Sequence, residues 1–394
     1  MPDHSRASSG DTQRRLEDIV ERAVRDGQVP GVVAAIATGT TTTTTTTCVA
    51  TAGVAEIGGA PMRRSTQFRI SSMTKPMTAA AVLSLIDEGL LDLDGPIDEL
   101  LPELADRRVL RRPDGPLNDT VPARRSITVR DLLTFTWGFG MQGAMFAAPE
   151  PWPILTATLE RPLATFGPPQ PAVTPKPDAW LACLAELPLL AQPGERWLYN
   201  TGSQVLGVLA SRATGESFDK VLRDRVLDPL GMHDTGFHAV DKARLAAAYE
   251  NRDGTLAMTD PPDGQWSRPP AFPDGSGGLV STVDDLVAFG QMVLRGGDPI
   301  LKPDMVTEMT RDQLSLDQRA NVWPGFDLLD GRGWGYGVSV LDDGHYGWDG
   351  GLGTTWSNVS SEDLVVVVLT QRAADETGMP AVCGDVLTAA RNAS

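Results

Sequence analysis

Apolar and polar positions divide the chain into strand-like ends and a helical middle. Residues 11–26 place Leu16, Ile19, Val20, Ala23 and Val24 on one face, which predicts an amphipathic first helix. Residues 31–37 form a continuous apolar run and predict a strand, and residues 49–57 predict a second. Between them Thr40 to Thr47 is an unbroken threonine run that reads as an extended hairpin with a solvent-facing turn. So uniform a run specifies register weakly. Residues 74–91 carry Met77, Ala80, Ala81, Leu83, Leu85 and Ile86 on a broad apolar face, a long helix. Helical patterns then alternate with Pro-rich loops, at 129–135, 179–189, 203–213 and 218–230. A helix at 283–295, strands at 336–341, 354–359 and 364–370, and a helix at 381–392 entered through Pro380 complete the pattern. The class is therefore α+β. One antiparallel sheet is built from both chain ends, residues 1–75 and 276–394, with a mainly helical domain inserted at 76–275.

Composition narrows the function. The chain has 394 residues, 41% of them hydrophobic, with 40 Gly and 30 Pro, enough for a substantial core. A net charge of -17 without any basic cluster disfavours nucleic acid and anionic membranes as partners. The pairs Arg14-Arg15, Arg63-Arg64 and Arg111-Arg112 read as solvated faces. Cys48, Cys183 and Cys383 are scattered and odd in number, which predicts free thiols rather than disulfides or a metal site. Residues 1–10 are polar and no apolar run reaches the length of a membrane span, so the expected location is the cytoplasm. Two loop-like stretches, 138–177 and 260–275 with Trp266 and Phe272, are long enough to form walls of a substrate cleft.

The chemistry centres on Ser72-Met73-Thr74-Lys75, at the start of the long helix and just after Phe68-Arg69-Ile70. Positions i and i+3 of a helix share a face, so the Ser72 hydroxyl and Lys75 amine are neighbours. A serine hydroxyl needs an adjacent base, and a lysine serves when burial lowers its pKa. Free N–H groups in the first helical turn suit a developing oxyanion. Taken alone, the same four residues fit a capped helix with an exposed lysine.

Two further segments follow in order. Tyr199, with Asn200 and Thr201, comes after the Pro193-Gly194 turn and before an apolar helix. Trp348-Asp349-Gly350-Gly351 stands just before the late strands. An S-x-x-K, then a Tyr before a helix, then W-x-G on a late strand resembles the serine β-lactamase and penicillin-binding-protein superfamily. Within it, the chain is most similar to the class C-related family VIII carboxylesterases. Supporting segments include Pro30-Gly31-Val32-Val33, Leu90-Leu91-Asp92-Leu93-Asp94, Ile127-Thr128-Val129-Arg130-Asp131 and Gly277-Gly278-Leu279.

That resemblance implies a β-lactamase-like fold with the active site in the crevice between its two parts. Ser72 is then the nucleophile, Lys75 its base or pKa partner, and Tyr199 a second proton carrier whose phenolate the ammonium would stabilise. Which of the pair takes the serine proton stays open, since the two titrate together. The resemblance also implies an oxyanion hole of the Ser72 and Gly351 amides, with Gly350 and Gly351 letting backbone approach substrate.

Departures from the superfamily pattern bear on the substrate. Where β-lactamases carry K-[ST]-G, Trp348 is neutral and cannot pair with a carboxylate. Where Y-x-N places an amide, Thr201 stands, with Asn200 one place early. Both favour an ester over a β-lactam, with Trp348, Asp349, Gly350 and Thr201 at the substrate and Trp137, Phe139 and Trp152 as an aromatic pocket or as core. A Ser-His-Asp site finds little support: the four histidines are His4, His233, His238 and His345, and no G-x-S-x-G occurs. His345 reads as an exposed turn residue, and Asp92-Leu93-Asp94-Gly95 as a turn rather than a calcium loop. The expected activity is hydrolysis of small carboxylic esters through an acyl-enzyme, without cofactor or metal. Alternatives are a β-lactamase or D-aminopeptidase, an amide-oligomer hydrolase, an acyltransferase to an alcohol, and a non-enzymatic penicillin-binding receptor.

Overall fold

The computed structural model describes residues 9–40, 45–320, 329 and 331–393. Its centre is a seven-stranded antiparallel sheet in the order β2-β1-β13-β12-β11-β10-β9. The first two strands are β1 (Gly31–Thr38) and β2 (Thr46–Gly53). The others come from the far end of the chain: β9 (Gly333–Trp334), β10 (Ser339–Val340), β11 (His345–Gly350), β12 (Thr354–Val359) and β13 (Leu364–Thr370). The two ends meet where β1 pairs with β13, in the register Val32↔Thr370 to Thr38↔Leu364.

Both strands read as unbroken apolar runs because the sheet is covered on both faces. Val32, Ala34, Ile36, Val366 and Val368 pack with Leu16, Ile19, Val382 and Val386, from α1 (Ser9–Arg25) and α12 (Ala381–Arg391). Val33, Ala35, Val365 and Val367 face the main core with Phe289 of α9 (Val283–Leu294). The central helix α2 (Thr74–Asp87) belongs to the same core. Around it lie α3 (Val129–Leu133), α4 (Ala144–Ala147), α5 (Pro153–Leu159), α6 (Pro177–Ala185), α7 (Thr201–Thr214) and α8 (Phe218–Leu222). Two shorter helices, α10 (Pro303–Met309) and α11 (Leu316–Ala320), precede β9.

Several expected elements end early for local reasons. β2 stops at Gly53 (φ +78), where a Cβ would lie 2.2 Å from the Pro30 carbonyl oxygen. Thr46 and Thr47 of the threonine run enter β2, and Thr40 is buried with its hydroxyl on Asp363. Thr41 to Thr44, like His4, lie outside the described residues. The predicted helix at 218–230 gives way to a π-helical turn at Arg223–Leu227. The helical part also carries two hairpins, β4 (Arg108–Leu110) with β5 (Thr120–Pro122), and β6 (Ala248–Arg252) with β7 (Thr255–Asp260). His345 begins β11 half-buried instead of sitting on an exposed turn. Cys48, Cys183 and Cys383 are free thiols. No helix among the described residues is long and apolar enough to cross a membrane.

Candidate active site

The strand β3 (Phe68–Arg69) pairs with β8 (Val280–Ser281) and delivers the chain to Ser72. Ser71 turns it through φ +46, a left-handed conformation that a serine adopts only when its surroundings impose it. The Thr74 hydroxyl donates to the Ser71 carbonyl at 2.7 Å and holds that turn. A single 3-10 turn, Ser71–Met73, then runs into α2. Because α2 is buried along nearly its whole length, Lys75 is carried into the core and is 0% exposed. Its ammonium donates to Ser72 Oγ at 2.9 Å and to the Ser276 carbonyl at 2.7 Å. Burial pushes the Lys75 pKa down to about 7, against the opposing charge of Asp274.

Tyr199 is placed by a two-way backbone bridge with Met141, 2.8 Å in each direction, immediately before α7. Lys75 Nζ lies 4.6 Å from the centre of its ring, and Trp348 Nε1 on β11 donates to its hydroxyl at 2.7 Å. Desolvation raises the Tyr199 pKa, and hydrogen bonds with Ser72 and Trp348 only partly oppose it. This corrects the expectation of a lowered phenol: in so dry a setting burial outweighs the stabilising contacts, and the lysine is the group brought towards neutrality. Behind the tyrosine stands an aromatic cluster that the sequence reading missed. Trp334 lies 4.8 Å from Trp348 and 4.9 Å from Phe135, and Trp197 lies 5.6 Å from Tyr199, between ring centres.

These groups open into a cleft of about 1130 Å³, lined by Ser72, Tyr199, Trp348, Asp349 and Gly351 among others. Gly350 lies behind the wall, where a Cβ would come within 2.2 Å of the Ile70 carbonyl oxygen, so glycine there serves strand packing. A Cβ on Gly351 would meet nothing within 4 Å, so its open side belongs to the cleft. Neither the Ser72 nor the Gly351 N–H has a backbone acceptor among the described residues. Asp349 accepts from Thr355 Oγ1 at 2.6 Å and faces Arg332 at 3.8 Å.

The proposed aromatic pocket does not form. Trp137 and Phe139 are 0% exposed inside the main core, and Trp152 packs against that core. Their apolar surface is used between helices, and none of the three lines the cleft. Thr201 is likewise fully buried, in a 2.7 Å hydrogen bond with Thr165, and Asn200 lines the cleft instead. The two loop stretches do supply walls, through Met141 and Gly167 to Gln170 in one and Gln265 and Trp266 in the other. Phe272 turns inward against Trp180. Arg69 is a further wall residue that sequence reasoning passed over: it is buried, ion-paired with Asp260 and seated 5.4 Å over Trp266. A charged residue inside the apolar run before Ser72 was the available signal.

The β-lactamase family model matches residues 16–381. The chain belongs to the β-lactamase family. Among sequence relatives, Protein Rv1367c of Mycobacterium tuberculosis is 38% identical over 340 residues, covering 80% of each chain. Esterase EstB of Burkholderia gladioli is 29% identical over 388 residues, covering 91% of this chain and 90% of that one. Among solved structures, EstCE1, described as a hydrolase with promiscuous acyltransferase activity, superposes with a TM-score of 0.78. It covers 98% of both chains at 24% identity, a likeness of fold. The fold that places Ser72, Lys75 and Tyr199 together is thus shared with EstCE1 over nearly the whole length of both chains.

Proposed function

We propose that this β-lactamase-family chain hydrolyses small carboxylic esters through an acyl-enzyme on Ser72. The observation that carries the reading is the Lys75 amine, fully buried, 2.9 Å from Ser72 Oγ and brought to a pKa of about 7. Near neutrality a large fraction of the amine is unprotonated and accepts the hydroxyl proton, while Oγ bonds to the acyl carbon. Two N–H groups without backbone partners, those of Ser72 and Gly351, are assigned to receive the resulting oxyanion. Tyr199, kept protonated by its burial, gives its proton to the departing alkoxide and recovers one from the Lys75 ammonium. The Trp348 N–H stabilises the phenolate in between. Water then repeats the sequence on the acyl-enzyme, and Ser72 is regenerated.

Two features support an ester rather than a β-lactam. Trp348 offers no cation to a substrate carboxylate, and Arg332 on the same wall is already faced by Asp349 at 3.8 Å. The relative named an esterase, matched over nine-tenths of both chains, supports the same choice. A cleft of about 1130 Å³ also leaves room for an alcohol in place of water, so acyl transfer is the second reading. The test is a steady-state panel of short p-nitrophenyl esters beside a chromogenic cephalosporin, with Ser72→Ala as control. Fast ester turnover, little ring opening and an inert Ser72→Ala are expected. Efficient cephalosporin cleavage, or activity retained without the Ser72 hydroxyl, would refute the reading.

A further inference from the structure

We propose that Asp274 is a positioning residue, holding the Ser276 carbonyl against the Lys75 amine and tying it to the helix that follows Tyr199. The inference rests on the reading of Lys75 as the base for Ser72. Asp274 is buried at 6% exposure in the loop before β8, and both its carboxylate oxygens are engaged. Oδ1 accepts from the Ser276 N–H at 2.7 Å, and Oδ2 accepts from Gln204 Nε2 on α7 at 2.9 Å. Its main-chain carbonyl accepts from the N–H groups of Gly277 and Gly278, at 3.3 and 2.9 Å. The loop is thus folded back on one aspartate.

Both helices of the site hold that loop. Thr78, one turn beyond Lys75, donates its hydroxyl to the Gly275 carbonyl at 2.7 Å. A Cβ on Gly275 would lie 2.6 Å from the Ser203 carbonyl oxygen of α7, so the backbone here is in close contact with both. With its N–H on Asp274, Ser276 holds a peptide plane whose carbonyl accepts from Lys75 Nζ at 2.7 Å. Occupying one N–H in this way orients the amine, so that its lone pair, once unprotonated, points along the 2.9 Å line to Ser72 Oγ.

The carboxylate also acts through its charge. Asp274 opposes the desolvation of Lys75, while Tyr199 presents its ring to the ammonium and Asp349 acts on Tyr199 rather than on the lysine. Charge and geometry can be separated because Gln204 Oε1 has no partner among the described residues. In Asp274→Asn the glutamine amide can rotate and accept from the new Nδ2–H, which preserves both hydrogen bonds and deletes only the charge.

The experiment measures phosphonylation of Ser72 by a p-nitrophenyl alkylphosphonate across pH, by p-nitrophenolate release and intact mass, alongside ester turnover. Asp274→Ala should slow phosphonylation by at least about 100-fold with little change in probe affinity, the loss expected of a displaced base. Asp274→Asn should recover most of the rate, with its acid limb roughly half a pH unit or more lower, since a charge favouring the ammonium is gone. An Asp274→Ala variant within about threefold of the parent overturns the proposal, by the same criterion of a displaced base. Where that variant fails to fold, an unmoved acid limb in Asp274→Asn overturns it instead. Phosphonylation at Ser72 without any ester turnover would refute the esterase reading while leaving the role of Asp274 measurable.

Discussion

The indole N–H of Trp348 donates to the Tyr199 hydroxyl oxygen at 2.7 Å. A tryptophan here is therefore more than an apolar filler: it supplies a hydrogen-bond donor without bringing a charge into a buried wall. Trp334 stands edge-on to Trp348 at 86°, 4.8 Å between ring centres, and fixes the direction of that donor.

Replacing Trp348 with Phe should keep the contact with Trp334 and remove only the donor. A hydrogen bond to a charged group contributes about 1.5–3 kcal/mol, so kcat should fall roughly 10- to 100-fold. The KM for short esters should change little, because the phenolate exists only after substrate is bound. Steady-state kinetics decide the point; an unchanged kcat would mean that Tyr199 never carries negative charge during turnover.

The buried amine sets the pH profile. Lys75 works as a base only when unprotonated, and burial brings its pKa down to about 7. The value of kcat/KM should therefore rise with pH through about 7 and level off above it. An acid limb near 4–5, about the range of an ordinary carboxylate, would assign the base to a carboxyl group instead.

The sequence carried the order of the chemistry but not its enclosure. That Ser72 and Lys75 are neighbours was legible because an i, i+3 spacing at a helix start is a local property, whereas Tyr199 was placed beside them only by the family resemblance. That both chain ends build one antiparallel sheet was legible from strand patterns at the ends with helices between, but the pairing of β1 with β13 was not. Nor were the walls of the cleft. Trp137, expected as a pocket residue or as core, is core, and Arg69, for which no role was expected, lines the cleft, since aromaticity and charge alone do not say which side of a strand or loop faces the core. The direction of the Tyr199 shift was missed as well, because desolvation depends on packing by Phe135 and Trp334, which are distant in sequence. Gly350 and Gly351 shared the expected role of letting backbone approach substrate, and the close approach of the Ile70 carbonyl gives Gly350 a packing role instead.

The Arg69–Asp260 pair, with side chains 3% and 8% exposed, anchors the strand that leads to Ser72. Removing one partner of such a pair leaves a buried charge uncompensated, at a cost of about 3–5 kcal/mol. Asp260→Ala should show that loss in urea unfolding, and Asp260→Asn a smaller one, since its amide oxygen can still accept from the guanidinium. Equal stability of Asp260→Ala and the parent would show that water replaces the carboxylate.

The same burial that equips Lys75 for catalysis should weaken the fold. Its pKa is depressed in the native state, so below about 7 the amine is protonated both folded and unfolded, and the cost of burying the charge is fully present. Between about 7 and its ordinary value near 10.5 the unfolded chain binds more protons than the native one. This contribution therefore becomes less unfavourable as pH rises. Lys75→Met removes the charge at nearly constant volume and should abolish ester turnover while raising Tm by at least a few degrees at pH of about 6, less at about 9. Thermal unfolding of both proteins at the two pH values tests this. A Tm lowered by the substitution at both would show that the hydrogen bonds to Ser72 and Ser276 outweigh the desolvation of the amine.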